Sequence, residues 1–196
     1  MSPPHSTTVS LPVMWVGAPC LIVRRGPRSR FVRTAFAAQD ESDVVRLADA
    51  TSAVTRPLPE SIGGVSVDLV DPSGIPVRVV AGTHSVAALP SQRPQVLNVG
   101  HDLVRANAPQ RPRRVPARVQ RLGHVVLQST RYLEALNWYL ENLGMIVSDF
   151  LYFPGQRDLG PTMSFIRCDR GDTPTDHHTL AMALGPRNRY VHSAYQ

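Results

Sequence analysis

The fold is decided by the stretch RLGHVVLQSTRYLEALNWYLENLGMIVSDF, which runs from Arg121 to Phe150. Apolar residues recur every three or four positions through its middle, which predicts an amphipathic helix from about Arg131 to Leu143. Gly144 follows at the position where a helix commonly ends in a left-handed residue. Apolar runs before and after the helix predict a strand on each side, and His124 lies inside the first of them.

Three further runs of strand-like sequence follow: MSFIRC, TLAMAL and YVHSAY. Together with the first stretch they predict the order β-α-β-β-β, and then the opening strand of another unit. We therefore expect an α+β fold. We also expect the last module to be truncated after the first strand of its second unit, because the chain ends at Gln196.

The N-terminal half carries a similar but shorter pattern. DESDVVRLADAT predicts a helix with an acidic first turn, and GGVSVDLVDPSGIPVRVV predicts a hairpin that turns at Asp71-Pro72-Ser73-Gly74. The run APQRPRRVPARVQ excludes a helix interior or a central strand, because proline lacks the backbone N–H. We expect a disordered start at 1–15, a partial N-terminal module at 16–83, a Pro/Arg-rich connector at 84–119 and a catalytic-type module at 120–196.

The composition limits the possible partners. With 196 residues, 42% of them hydrophobic, the chain can bury a core. Its net charge of +6 permits acidic partners, but the arginines are spread and cluster most densely in the connector, so we expect no nucleic acid. Cys20 and Cys168 share no CxxC spacing, which argues against a disulfide framework and a structural zinc site.

The apolar run LPVMWVGAPCLIV, from Leu11 to Val23, is too short and too interrupted by proline to span a bilayer. A secretory signal has basic residues before its apolar run, whereas Arg24 and Arg25 come after this one. We therefore expect a cytoplasmic protein with no membrane partner.

Four of the seven histidines lie in the second module: His124, His177, His178 and His192. A single histidine in a strand is more often a core or solvent-facing residue than a ligand. Two of them, His124 and His192, open successive units, and neutral imidazoles of this kind suit a divalent transition metal. His177 and His178 are adjacent, so only one of them can face a given side of a strand.

The segment from Arg121 to Gln196 resembles the vicinal oxygen chelate superfamily, and within it the type I extradiol ring-cleavage dioxygenases. The resemblance is carried by LGHVVL, by ALNWYLENLGM followed by SDF, by DHHTLAMA and by NRYVHSAYQ. The earlier run VDLVDPSGIPVRVV resembles the closing hairpin of the family's N-terminal domain. The resemblance implies paired βαβββ modules, here incomplete at both ends.

The resemblance also implies roles for individual residues. His124 and His192 match the family's two metal-ligand histidines, for Fe(II) with Mn(II) as an alternative. His178 matches the active-site histidine that acts as acid and base, and His177 then has a structural role. The implied partners are a small aromatic diol of the catechol type and O2, in the catabolism of aromatic hydrocarbons, with a possible homo-oligomer.

One feature of the family has no match. Its third metal ligand is a glutamate on a later strand, beyond Gln196. Glu134 and Glu141 lie on the predicted helix and are expected to face solvent, so neither is a candidate ligand. We therefore expect weak activity or none from this chain.

Two other functions remain open at this point. One is a metal-dependent lyase or isomerase of the glyoxalase kind. The other is a non-enzymatic binding module, like the superfamily's drug-sequestering proteins. Those proteins lack metal-binding histidines, so His124 and His192 argue against the second alternative.

Overall fold

The computed structural model of the protein describes residues 8–9, 14–15, 18–85, 87, 96–107, 116 and 119–196. Four strands of two residues each come first: β1 (Thr8–Val9), β2 (Met14–Trp15), β3 (Ala18–Pro19) and β4 (Val23–Arg24). β1 pairs with β4 and β2 pairs with β3, both antiparallel. Two of these short strands lie in the stretch expected to be disordered, and the rest of that stretch lies outside the described residues.

The first β-α-β-β-β unit follows. It consists of β5 (Thr34–Ala37), α1 (Glu41–Thr51), β6 (Thr55–Pro57), β7 (Val65–Val70) and β8 (Pro76–Ala81). These strands form one sheet in the order β5-β8-β7-β6, with β5 parallel to β8 and the other pairs antiparallel. The predicted helix and hairpin are confirmed, whereas β6 is a strand that the sequence did not reveal.

Helix α1 begins at its acidic residues, as the sequence predicts. The Asp40 carboxylate accepts a hydrogen bond from the backbone of Asp43, and the Asp43 carboxylate accepts one from the backbone of Asp40. This reciprocal capping box satisfies two of the N–H groups that a helix start leaves without partners.

The second unit repeats the same order. It consists of β9 (Leu122–Ser129), α2 (Tyr132–Leu143), β10 (Met145–Leu151), β11 (Met163–Cys168) and β12 (Leu180–Leu184), and β13 (Arg189–Tyr195) follows it. A short 3-10 turn at Arg157–Leu159 lies between β10 and β11. The strands form a five-stranded sheet in the order β10-β11-β12-β9-β13. β9 is therefore flanked by β12, which is parallel to it, and by β13, which is antiparallel.

Helix α2 has the predicted boundaries and buried face. Tyr132, Leu136 and Tyr139 are all less than 5% exposed, as their spacing predicts. Gly144 ends the helix with a φ of 59°, a left-handed conformation that glycine adopts without steric cost. Glu134 and Glu141 are exposed, as expected.

The two units share one core. A single cluster of buried apolar side chains extends from Phe36 and Val44 in the first unit to Leu127 and Tyr139 in the second. The Phe36 and Tyr139 rings meet edge to face, with their centroids 6.1 Å apart. Edge-to-face packing of this kind adds to the apolar burial that holds the units together.

The hairpin turn of the first unit packs against the second unit. Asp71 is only 3% exposed; its Oδ1 accepts hydrogen bonds from the N–H groups of Ser73 (2.8 Å) and Ile75 (2.9 Å). Its Oδ2 accepts one from the hydroxyl of Tyr139 on α2, at 3.2 Å. The hydroxyls of Ser73 and Ser129 lie 2.5 Å apart across the same interface. The turn was predicted, but its burial and its partners in α2 and β9 were not.

Within the described part of the connector, the only β pairing is an isolated bridge between Val99 and Asp102. The proline-rich residues 108–115 lie outside the described residues, so the division of the chain stays a prediction. Among the residues described, neither helix has the length and apolar character needed to cross a bilayer.

Replacing Tyr139 with Phe should lower the free energy of unfolding by about 1–3 kcal/mol, because a buried carboxyl oxygen of Asp71 loses its partner. Tyr132→Phe is the matched control. Tyr132 lies on the same helix and is 2% exposed, but the neighbour of its hydroxyl is the uncharged Ser164 and not a carboxylate. Urea denaturation should show little change for the control. Equal losses in the two variants would contradict the role given to the Tyr139–Asp71 hydrogen bond.

Candidate metal centre

His124 is placed by the alternation of side chains along β9. Val125 and Leu127 belong to the buried core cluster, which packs against α2. Successive side chains of a strand point to opposite faces, so His124 and Val126 lie on the face away from that core. His124 is half-buried there.

His192 reaches the same face from the neighbouring strand β13. In the antiparallel register, His192 pairs with Val126 and Ala194 pairs with His124. Residues directly opposite each other share a face, so His192 lies diagonally next to His124. The two ring centroids are 5.6 Å apart and the rings are nearly perpendicular, at 70°. His192 is exposed.

His178 completes the group from a loop. The sequence predicted that His177 and His178 open a strand, but β12 begins only at Leu180. The His178 ring lies 4.2 Å from the His124 ring and 5.0 Å from the Phe165 ring, measured between centroids. His177 is exposed, and its Nδ1 lies 3.1 Å from the Nδ1 of His178.

The environment favours neutral imidazoles at two of these positions. Burial lowers the pKa of His124, and the nearby His192 lowers it further. Burial also lowers the pKa of His178, with added repulsion from His124 and His177. Asp176 opposes both shifts, since a nearby negative charge favours the protonated form.

Asp176 and Arg121 are the residues near the site that sequence reasoning missed. Both Nη atoms of Arg121 donate to the Asp176 carboxylate, and the Nη2–Oδ1 distance is 2.8 Å. This guanidinium lowers the pKa of the Asp176 carboxyl, and His178 and His124 add to the effect. The position of Asp176 two residues before His178 was the available signal, but nothing in the sequence pairs it with Arg121.

A third protein ligand is not found in the part of the chain that is described. No group of three His, Cys, Asp or Glu residues within it is arranged to hold a metal ion. Glu134 pairs with Arg131 on α2, and Asp176 pairs with Arg121. A groove of about 2600 Å³ lies between residues 20–33 and the two units, but none of the three clustered histidines lines it.

No protein-family model matches the sequence, and neither does any curated protein. Solved structures do match its fold. The 2,3-dioxygenase LapB from Pseudomonas sp. KL28 aligns over 93% of this chain with a TM-score of 0.65 and 16% sequence identity. The homoprotocatechuate 2,3-dioxygenase from Arthrobacter globiformis aligns over 93% with a TM-score of 0.63 and 22% identity.

A Mn(II)-bound glyoxalase from Novosphingobium aromaticivorans aligns over 88% of this chain, with a TM-score of 0.57 and 23% identity. The chain has the vicinal oxygen chelate fold. The expected α+β class and the resemblance stated from the sequence are thus confirmed at the level of the fold. The chain spans about half the length of these proteins: 48% of the glyoxalase, 60% of LapB and 50% of the Arthrobacter enzyme.

The metal-free chain should lose stability as the pH falls below about 6.5, the ordinary pKa of histidine. The pKa values of His124 and His178 are lowered in the folded state, so the unfolded chain binds more protons in that range. The stability that these two histidines contribute is fully present above the ordinary pKa of histidine. It is lost as the pH falls through their lowered pKa values in the folded state. Urea denaturation with a chelator present, between pH 7.5 and 5.5, should show the decline.

A double variant, His124→Asn with His178→Asn, should flatten this decline. His101→Asn, at an exposed position of the connector, serves as the control for the loss of a histidine outside the cluster. An undiminished slope in the double variant would show that other groups cause the pH dependence.

Proposed function

We propose that this chain contains the catalytic module of a metal-dependent extradiol ring-cleavage dioxygenase that acts on a catechol-type aromatic with O2. The observation that carries the proposal is the meeting of His124, His178 and His192 on one face of a sheet whose other face is the core. The same fold in two 2,3-dioxygenases supports it.

His124 and His192 are the proposed metal ligands, for Fe(II) with Mn(II) as an alternative. The donor set fits a divalent transition metal, because the lowered pKa of His124 leaves its imidazole neutral with a free lone pair. The Mn(II)-bound glyoxalase of the same fold supports a divalent metal in general. A metal held here would supply Lewis acidity, which makes the hydroxyl groups of a bound catechol more acidic.

His178 is the proposed acid and base. Its ring is half-buried beside His124, and its lowered pKa leaves it able to accept a proton at neutral pH. It would take the proton of a substrate hydroxyl and return a proton to an oxygen that develops negative charge. His177 is exposed, and the structural role that the resemblance implies for it stays a proposal.

The ligand set of the described residues lacks a carboxylate. Loss of a partner that only orients a ligand already costs about 10–100-fold in metal affinity, and loss of a direct ligand should cost at least as much. We therefore expect weak metal binding and low activity from the chain of 196 residues.

A glyoxalase-type lyase or isomerase is the second candidate, because the Mn(II)-bound glyoxalase shares the fold. The two candidates differ in their reactants: only the dioxygenase consumes O2. A binding module without a metal is the third, and it requires none of the three histidines.

Metal binding is the first test. Titration with Fe(II) under anaerobic conditions should give weak binding that His124→Ala and His192→Ala each abolish. His101→Ala, at an exposed connector position, should bind as the unaltered chain does. Equal affinity in all four proteins would reject His124 and His192 as ligands.

Oxygen consumption is the second test. The Fe(II)-loaded chain is offered a panel of catechols while dissolved O2 and the absorbance of a yellow ring-opened product are followed. A low rate that His178→Ala reduces further, with metal affinity unchanged, is the expected result. Metal binding without any O2 uptake would favour the glyoxalase-type candidate.

A further inference from the structure

Three segments carry the histidines, and all three meet at Arg121. Arg121 directly precedes β9, which carries His124. Its backbone pairs in both directions with Gln196, which follows β13 and its His192: Arg121 N donates to Gln196 O at 3.1 Å, and Gln196 N donates to Arg121 O at 2.9 Å. Its side chain binds Asp176 in the loop that carries His178.

The loop before β12 has few other attachments. Thr179 joins the sheet directly after His178, since its N–H donates to Ile166 O at 2.8 Å and its carbonyl accepts from Val125 N at 3.1 Å. Earlier in the loop, the hydrogen bonds of Gly171 and Thr173 stay within the loop itself. His177 also packs against Phe165 of β11, with the ring centroids 5.7 Å apart. Among the described hydrogen bonds and ion pairs, the Asp176–Arg121 pair is the one that ties the N-terminal side of His178 to another element.

We propose that Arg121 and Asp176 are positioning residues that fix His178 against His124. The pair holds the loop on one side of His178, and Thr179 holds it on the other. The inference rests on the proposed function, which gives His178 its task. The position of the ring can nevertheless be measured without metal or substrate.

The ion pair is suited to position a side chain more than to stabilise the fold. Its side chains are 33% and 37% exposed, and pairs this exposed contribute little to stability. Two parallel N–H···O contacts do, however, fix the carboxylate in direction as well as in distance. Its loss should therefore move the loop without unfolding the chain.

A matched control lies elsewhere in the chain. Arg78 also donates twice to one carboxylate, through Nε and Nη2 to Asp68, at 2.7 and 2.6 Å. Arg33 donates to the same carboxylate at 2.5 Å, so Asp68→Ala removes at least as many charged contacts as Asp176→Ala. The side chains of Arg78 and Asp68 are 28% and 44% exposed, similar to those of the proposed pair. Asp68 lies on β7 and Arg78 on β8, both in the first unit, whereas the three histidines belong to the second.

The experiment measures the distance between the His124 and His178 rings by nuclear Overhauser effects in the metal-free chain. Asp176→Ala should lose the cross-peak between the two rings, whereas Asp68→Ala should retain it. The charge-swapped double variant, Arg121→Asp with Asp176→Arg, should restore it. A titration with Co(II) should give the same affinity in all of these proteins, because His124 and His192 remain in place.

Retention of the cross-peak in Asp176→Ala would overturn the inference, and so would its absence from the charge-swapped variant. Should Asp176→Ala prove unfolded, Arg121→Gln removes the same ion pair while Asp176 stays in place. Loss of the cross-peak in that variant would then support the inference, and retention of the cross-peak would overturn it. A chain that shows the expected cross-peaks but binds no Co(II) would reject the proposed function and leave the positioning role intact.

Discussion

The alternation of side chains along β9 is the constraint on which the core and the candidate site both depend. Val125 and Leu127 pack into the core on one face, while His124 takes the other. A slip of one residue would exchange the two faces, placing an imidazole in an apolar core and turning Val125 and Leu127 to the face of the histidines. Pairing with β12 on one side and β13 on the other fixes this register.

The buried turn at Asp71 supports the core-facing side of this sheet. An isolated buried carboxyl group is costly, and burial raises the pKa of Asp71 accordingly. Two backbone N–H groups and the hydroxyl of Tyr139 offset that cost, and Tyr139 belongs to the helix that packs under β9. The first unit thereby supports the second, and a site on a rigid sheet retains its geometry better than one on loops.

The fold by itself does not settle the chemistry. The same arrangement of strands occurs in 2,3-dioxygenases and in a Mn(II)-bound glyoxalase, and one fold commonly hosts several reactions. The functional argument therefore rests on three imidazoles and the groups around them. Two of those imidazoles come from adjacent strands, and the third comes from a loop whose attachment is the Arg121–Asp176 pair.

The sequence alone determined both helices and the longer strands, because their signals are local, whereas the short strand β6 carries no such signal. The apolar spacing in Tyr132–Leu143 and Gly144 marked the helix, the turn residues after Val70 marked the hairpin, and the alternation around His124 marked a strand. Only the tertiary structure decided which distant residues meet. The approach of Asp71 to Tyr139, and of Asp176 to Arg121, joins residues 68 and 55 positions apart. No local pattern encodes such pairs, because they arise only when the strands assemble into sheets and the units pack together.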